Sequence, residues 1–148
     1  MNIVWFKKDL RTTDHAPLTE AVKLGNVVCV YVFEPEQLEA DDFAPIHLSF
    51  LRESLESLDA SLRRLGSRLN VLFGELPNVF QELHKQSSIE SIHAHEETGN
   101  WLSYQRDRRV RRWCKESGIA FHERPSNGVV RRLDSRDAWA SKWNKHVN

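Results

Sequence analysis

The chain has 148 residues, of which 40% are apolar and 28% charged, with five tryptophans and seven phenylalanines. That is enough apolar material for one folded core and too short for two full-size domains, and it argues against a disordered chain. Net charge is zero, but positions 1–99 carry 9 basic and 16 acidic residues while positions 100–148 carry 12 and 5, so two halves of opposite sign are expected to face each other within one domain.

Asn2 to Phe6 reads as a short apolar strand, followed by a polar loop, Lys7 to Asp14. A helix follows from about Pro17, capped by Asp14 or Thr13 and ended at Gly25. Val27 to Phe33 is rich in β-branched and aromatic residues without polar alternation, as expected of a strand covered on both faces at the sheet centre. Glu34 to Pro45 reads as a loop. Between Ile46 and Leu65 the residues Leu48, Leu51, Leu55, Leu58, Leu62 and Leu65 recur at spacings of three and four, one helical stripe that packs on its own sheet, and Gly66 supplies the stop.

The alternation then repeats. Leu69 to Phe73 is a strand, Pro77 to Lys85 a helix, Ser91 to His95 a strand, Asn100 to Glu116 a helix and Ala120 to Glu123 a fifth strand. Beyond it Pro125 and Gly128 break the periodicity, and the remainder reads as an irregular tail. Strands and helices in strict succession require right-handed crossovers that cover a parallel sheet on both faces, so the expected fold is doubly wound α/β.

The longest apolar run, Val27 to Phe33, is far shorter than the roughly 20 residues of a membrane span. The first residues, MNIVWFKKDL, lack the pattern of a secretory signal, so no membrane association and a cytosolic (cytoplasmic) location are expected. Cys29 and Cys114 are then expected as buried, reduced thiols.

In an open parallel sheet, ligands sit outside the carboxyl ends of the strands, where the strand order reverses. This selects the loops Lys7 to Asp14, Glu34 to Pro45 and Glu96 to Asn100. No GxGxxG follows the first strand, and there is neither a GxxxxGK[ST] nor a GxSxG, so dinucleotide, P-loop and serine-hydrolase readings fall away. His93 and His95, with Glu97, share one strand face and have the chemistry of metal ligands. A metal site needs three or four convergent ligands, so the favoured reading is that they line a pocket or the sheet end. Arg106, Arg108, Arg109, Arg111 and Arg112 crowd one helix and are able to grip phosphates. They are spread around it, however, and pairing with the acidic half is the favoured reading. Trp139 and Trp143, four apart, share one helical face.

The opening VWFKKDLRTTDHAPL resembles the VWFRRDLR-x-x-D-N-x-x-L start of DNA photolyases and cryptochromes. YVFEPEQL, DDFAPIHLSFLRESLESL, HEETGNWLSYQRDRRVRRWC and DSRDAWASKW resemble successive segments of that family's amino-terminal domain, in the same order. The resemblance implies a Rossmann-like α/β antenna domain over residues 1–124, with a five-stranded parallel sheet of order 3-2-1-4-5. It implies that 125–148 lead toward the linker to a separate FAD-binding helical domain. The full-length protein would be a deoxyribodipyrimidine photolyase, in which light-excited reduced FAD splits pyrimidine dimers in DNA. This domain would hold a second chromophore, a folate, deazaflavin or flavin, that passes excitation to FAD. Alone it would not be catalytic and would bind DNA weakly at most. A cryptochrome-type photoreceptor that signals through protein partners shares the same resemblance, whereas a stand-alone nucleotide- or flavin-binding module requires the likeness to be fold-deep.

The positions that match the family's antenna pocket are Lys8, Asp9 and Arg11 after the first strand, Phe33, Glu34 and Pro35 after the second, His47 at the start of the long helix, and Glu96 and Glu97 after the fourth strand. Some deazaflavin-type members carry Arg in place of His47, and some folate-type members carry Asn-Glu in place of Leu102 and Ser103, so the resemblance does not select a pigment.

Overall fold

The computed structural model describes residues 1–40, 45–96 and 101–125, with the side chains of 38–40 and 45–47 excepted. The elements, in chain order, are β1 (Asn2–Phe6), α1 (Ala16–Val22), β2 (Val27–Phe33), α2 (Pro35–Ala40), α3 (Pro45–Arg64), β3 (Leu69–Phe73), α4 (Asn78–Gln86), β4 (Ser91–His95), α5 (Trp101–Ser117) and β5 (Ala120–Arg124). The tail beyond residue 125, with Trp139 and Trp143, lies outside the described residues.

All five strands are parallel, in the order β3-β2-β1-β4-β5. The sheet centre is therefore β1, and not β2 as the apolar run suggests; β2 is its inner neighbour, with Val4 opposite Cys29 on one side and His93 on the other. Every residue of β1 is buried, as the central strand of a doubly covered sheet requires.

Alternate residues of the strands feed two cores. On one face Val4, Phe6 and Cys29 pack with Leu18 and Ala21 of α1 and Leu58 and Leu62 of α3. On the other, Trp5, Val30 and Ile92 pack with Phe80 of α4 and Val110 and Cys114 of α5. Trp5 meets Phe80 edge to face, with ring centroids 5.4 Å apart. Both cysteines are free and buried, one in each core, and burial raises both thiols, that of Cys114 to about 12.

The leucine stripe of α3 engages the sheet through its middle. Leu55, Leu58 and Leu62 are buried, whereas Leu48 and Leu65 are exposed. A fully buried leucine side chain contributes roughly 1.5–3 kcal/mol, so the middle three dominate the attachment of this helix. The cap of α1 also differs from expectation. Asp14 has a positive φ of 51°, which takes it out of the extended conformation that a capping residue needs. His15 takes that place, its Nδ1 accepting the Leu18 N–H at 3.1 Å.

Candidate functional site

The rim at the carboxyl ends of β1, β2 and β4 is built from charged side chains that hold one another. The chain turns sharply after Phe6, and the Lys7 N–H donates to Asp9 Oδ1 at 2.8 Å. Asp9 Oδ2 accepts from His15 Nε2 and, at 2.7 Å, from His95 Nδ1. One carboxylate thereby ties the loop after β1, the start of α1 and the end of β4. Burial pushes the Asp9 carboxyl up, but the hydrogen bonds from His15 and His95 outweigh it and hold the group well below the usual carboxylate range.

A second network lies on the opposite face of the sheet. Lys7 Nζ donates to the His95 carbonyl at 2.9 Å and to Asp107 Oδ2 at 3.0 Å. Asp107 Oδ1 accepts from Arg106 Nε at 3.0 Å, and Arg106 Nη1 donates to Glu34 Oε2. The Trp5 indole lies beneath both cations, 4.3 Å from Lys7 Nζ and 5.0 Å from the Arg106 guanidinium carbon. All four charged groups are buried, and two positive and two negative charges balance. Burial lowers the Lys7 ammonium against the opposing pull of Asp107 and raises the Glu34 carboxyl despite Arg106.

Beside the second network, α2 follows the end of β2 and bonds to α5 and to the segment before α4. Its Glu36 N–H donates to Glu75 Oε1 at 3.2 Å, its Glu36 carboxylate accepts from Arg109 at 3.4 Å, and Gln37 Oε1 accepts from Ser103 of α5 at 3.1 Å. Among the described residues the buried Gln37 amide nitrogen has no partner.

The expected site residues divide accordingly. Asp9 and Glu34 are buried in internal ion pairs. Lys8 is exposed; Arg11 is partly buried and donates to the Asp14 carbonyl at 3.2 Å. Phe33 is partly buried, its ring 6.3 Å from Phe73 and 5.1 Å from Tyr31. Pro35 opens α2, and Glu96, at the end of β4, donates its N–H to the Arg124 carbonyl at 2.7 Å. His47 lies in the first turn of α3, with its side chain outside the described residues, as is Glu97 altogether. Lys7 and Gln37 lie in loops that the sequence selects but are not among the site residues expected there, and His15, Arg106 and Asp107 were not placed at this rim. Apart from the His15–Asp9 and Arg106–Asp107 pairs, their side-chain partners lie 66 to 100 residues away, and no local pattern marks them.

His93 and His95 share a strand face but not a site. His93 Nε2 meets Ser91 Oγ at 2.8 Å, and its ring stacks on His122 with centroids 4.6 Å apart. Asp9, His15 and His95 do bring three ligand-type atoms within 4.8 Å of one another. However, the Leu18 N–H can only donate, so His15 Nδ1 accepts and Nε2 carries the proton to Asp9. His95 Nδ1 likewise donates to the ionised carboxylate. Both N–H groups point at the oxygen, and neither nitrogen offers a lone pair to a cation. The cluster is a hydrogen-bonded lock.

A groove of about 420 Å³ opens at the other end of the strands, lined by Val27, Cys29, Arg63, Ser67, Arg68 and Asn70. It is remote from the rim where the strand order reverses. No described helix is long and apolar enough to cross a membrane.

A family model described as DNA photolyase matches residues 2–137. Cryptochrome DASH of Gloeobacter violaceus is 39% identical over 112 residues, covering 71% of this chain and 22% of the relative. Cryptochrome-1 of Gallus gallus is 34% identical over 116 residues, covering 78% of this chain and 18% of the relative. Among solved structures, a photolyase of the archaeon Sulfolobus tokodaii, described with two FAD molecules and a novel light-harvesting cofactor, superposes with a TM-score of 0.79 at 30% identity, over 99% of this chain and 35% of that one. A Synechocystis cryptochrome shares the fold with a TM-score of 0.81 at 24% identity, over 97% of this chain and 33% of that one. The chain thus spans about a fifth of the length of these sequence relatives and a third of these structures.

Proposed function

Because this chain belongs to the DNA photolyase family, we propose that it is the light-harvesting domain of a deoxyribodipyrimidine photolyase and that its strand-end rim holds an antenna chromophore. The observation that carries this reading is the Gln37 amide nitrogen, which among the described residues is buried without a partner in the helix that leaves the carboxyl end of β2. A buried donor without an acceptor costs on the order of 1–3 kcal/mol, and a polar ring system seated there supplies one. The likeness to the Sulfolobus photolyase, described with two FAD molecules and the implication of a novel light-harvesting cofactor, supports the same assignment.

In this reading Asp9 and Glu34 do not spend their charge on the guest. They fix the loops, while Lys8, Arg11, Phe33, Pro35 and Gln37, with His47, Glu96 and Glu97, form the surface that receives it. A bound folate, deazaflavin or flavin absorbs light and passes the excitation to FAD in a helical domain that follows. The task of this chain is therefore rigid positioning, and a rim locked by buried ion pairs suits it. Lesion chemistry and most DNA contacts belong to that following domain.

The test is titration of the purified chain with flavins, folates, deazaflavin and ATP, followed by absorbance and fluorescence. One pigment class is expected to bind, and Gln37→Leu is expected to weaken it about 2- to 10-fold through the lost hydrogen bond. Binding of ATP alone overturns the proposal. A second reading, a signalling photoreceptor, is favoured by the relatives that are cryptochromes. Dimer-repair assays on the full-length protein separate the two.

A further inference from the structure

Five arginines crowd α5, and three of them are neutralised: Arg106 by Glu34, Arg109 by Glu36 and Arg111 by Glu123. Arg108 and Arg112 are exposed, as is Lys115 further along, and among the described residues none of the three has a carboxylate partner. At about 100° per residue, Trp101, Tyr104, Arg108, Arg112 and Lys115 fall within an arc of about 80°. They lie on the side of the helix opposite the buried Val110 and Cys114.

The aromatic end of this stripe is open. Trp101 is 67% and Tyr104 42% exposed, and their rings stack with centroids 5.7 Å apart and planes 29° from parallel. The Arg108 guanidinium carbon lies 5.8 Å from the Tyr104 ring centre. Two large aromatic faces held in solvent beside three uncompensated cations do nothing for the core. Cations alone suit any acidic partner. Stacked aromatic faces in line with them suit one whose acid groups alternate with flat rings.

We propose that the outer stripe of α5 binds single-stranded nucleic acid, with Trp101 and Tyr104 stacking on bases and Arg108, Arg112 and Lys115 contacting phosphates. The stripe runs about 20 Å along the helix, the length of a few nucleotides. Its aromatic end adjoins the strand-end rim, where the neighbouring Ser103 bonds Gln37, while its cationic end runs along the helix away from that rim. Single-stranded DNA and RNA share the chemistry, and the experiment includes both.

The full chain is titrated into labelled oligothymidylate and oligouridylate of about 16 nucleotides, and into a duplex of equal length, with anisotropy read across a salt series. The single strands are expected to bind more tightly than the duplex. Three phosphate contacts give a log–log salt slope of about −2, which Arg108→Ala/Arg112→Ala reduces to about −0.7. Trp101→Ala and Tyr104→Ala are each expected to weaken binding about 5- to 150-fold, and the double variant more, with the salt slope unchanged. Since all four substituted residues are exposed, circular dichroism is expected to show every variant folded, and Lys23→Ala/Lys85→Ala serves as a control that leaves binding intact. Preference for either DNA or RNA supports the proposal. Absence of binding at about 50 mM salt, preference for duplex, indifference to the aromatic substitutions, or displacement by polyglutamate more readily than by oligothymidylate overturns it.

Discussion

Three donors converge on the Asp9 carboxylate: the Lys7 N–H, His15 Nε2 and His95 Nδ1. Because its folded pKa lies below its unfolded value, the stability it contributes is complete above about pH 4 and is lost as pH falls further. Urea midpoints measured from about pH 6 down to about pH 3 are expected to fall, and Asp9→Asn is expected to flatten that dependence. In the second network, Lys7→Met leaves Asp107 buried beside a single cation and is expected to cost about 3–5 kcal/mol in urea unfolding, with Lys7→Met/Asp107→Leu recovering part of it. Position made the strand-end loops legible, and the family resemblance picked out Asp9 and Glu34 within them. Their partners were hidden for a physical reason: His95 and Arg106 lie 86 and 72 residues away, and only the sheet order brings them close. His15 was overlooked because an imidazole is not among the side chains that usually cap helices, although its Nδ1 does the same work.

Among the elements, α3 shows how a regular stripe and a real contact surface differ. Leu58→Ala, in the buried middle, is expected to cost about 2–5 kcal/mol by equilibrium unfolding, and Leu65→Ala, at the exposed end, about 0.5 kcal/mol or less. Between β3 and α4, Gly74 has a φ of +144°, and a Cβ there would lie 2.9 Å from Val79 Cγ2. Gly74→Ala is therefore expected to destabilise by more than about 1 kcal/mol, read as a lowered thermal midpoint. The bounds of β1, β2, β3 and β4 were legible because short β-branched and aromatic runs stood between glycines, prolines and polar turns. The helix α2 was not, because the six residues Pro35–Ala40 are too few to display a period and follow a strand directly.

For the molecule as a whole, alternation of strand and helix revealed the layered parallel architecture, but periodicity cannot rank strands within a sheet. The order 3-2-1-4-5 came from the family resemblance, and the structure has it. Among the described residues no strand pairs with the outer edge of β3. β3 reads LNVLF, without a charge or proline, and leaves Val71 49% and Phe73 70% exposed. Concentration-dependent self-association of the chain is expected by light scattering, with Val71→Lys suppressing it. The sheet order also bears on how the chain is made. The central strand leaves the ribosome before the other four strands of the sheet, and β2 and β3 can add to one side of it while β4 and β5 are still being translated. Until His95 emerges, Asp9 has His15 but not its second histidine, so the nascent half-sheet waits with its central seam open, and the clasp closes only when the fourth strand arrives.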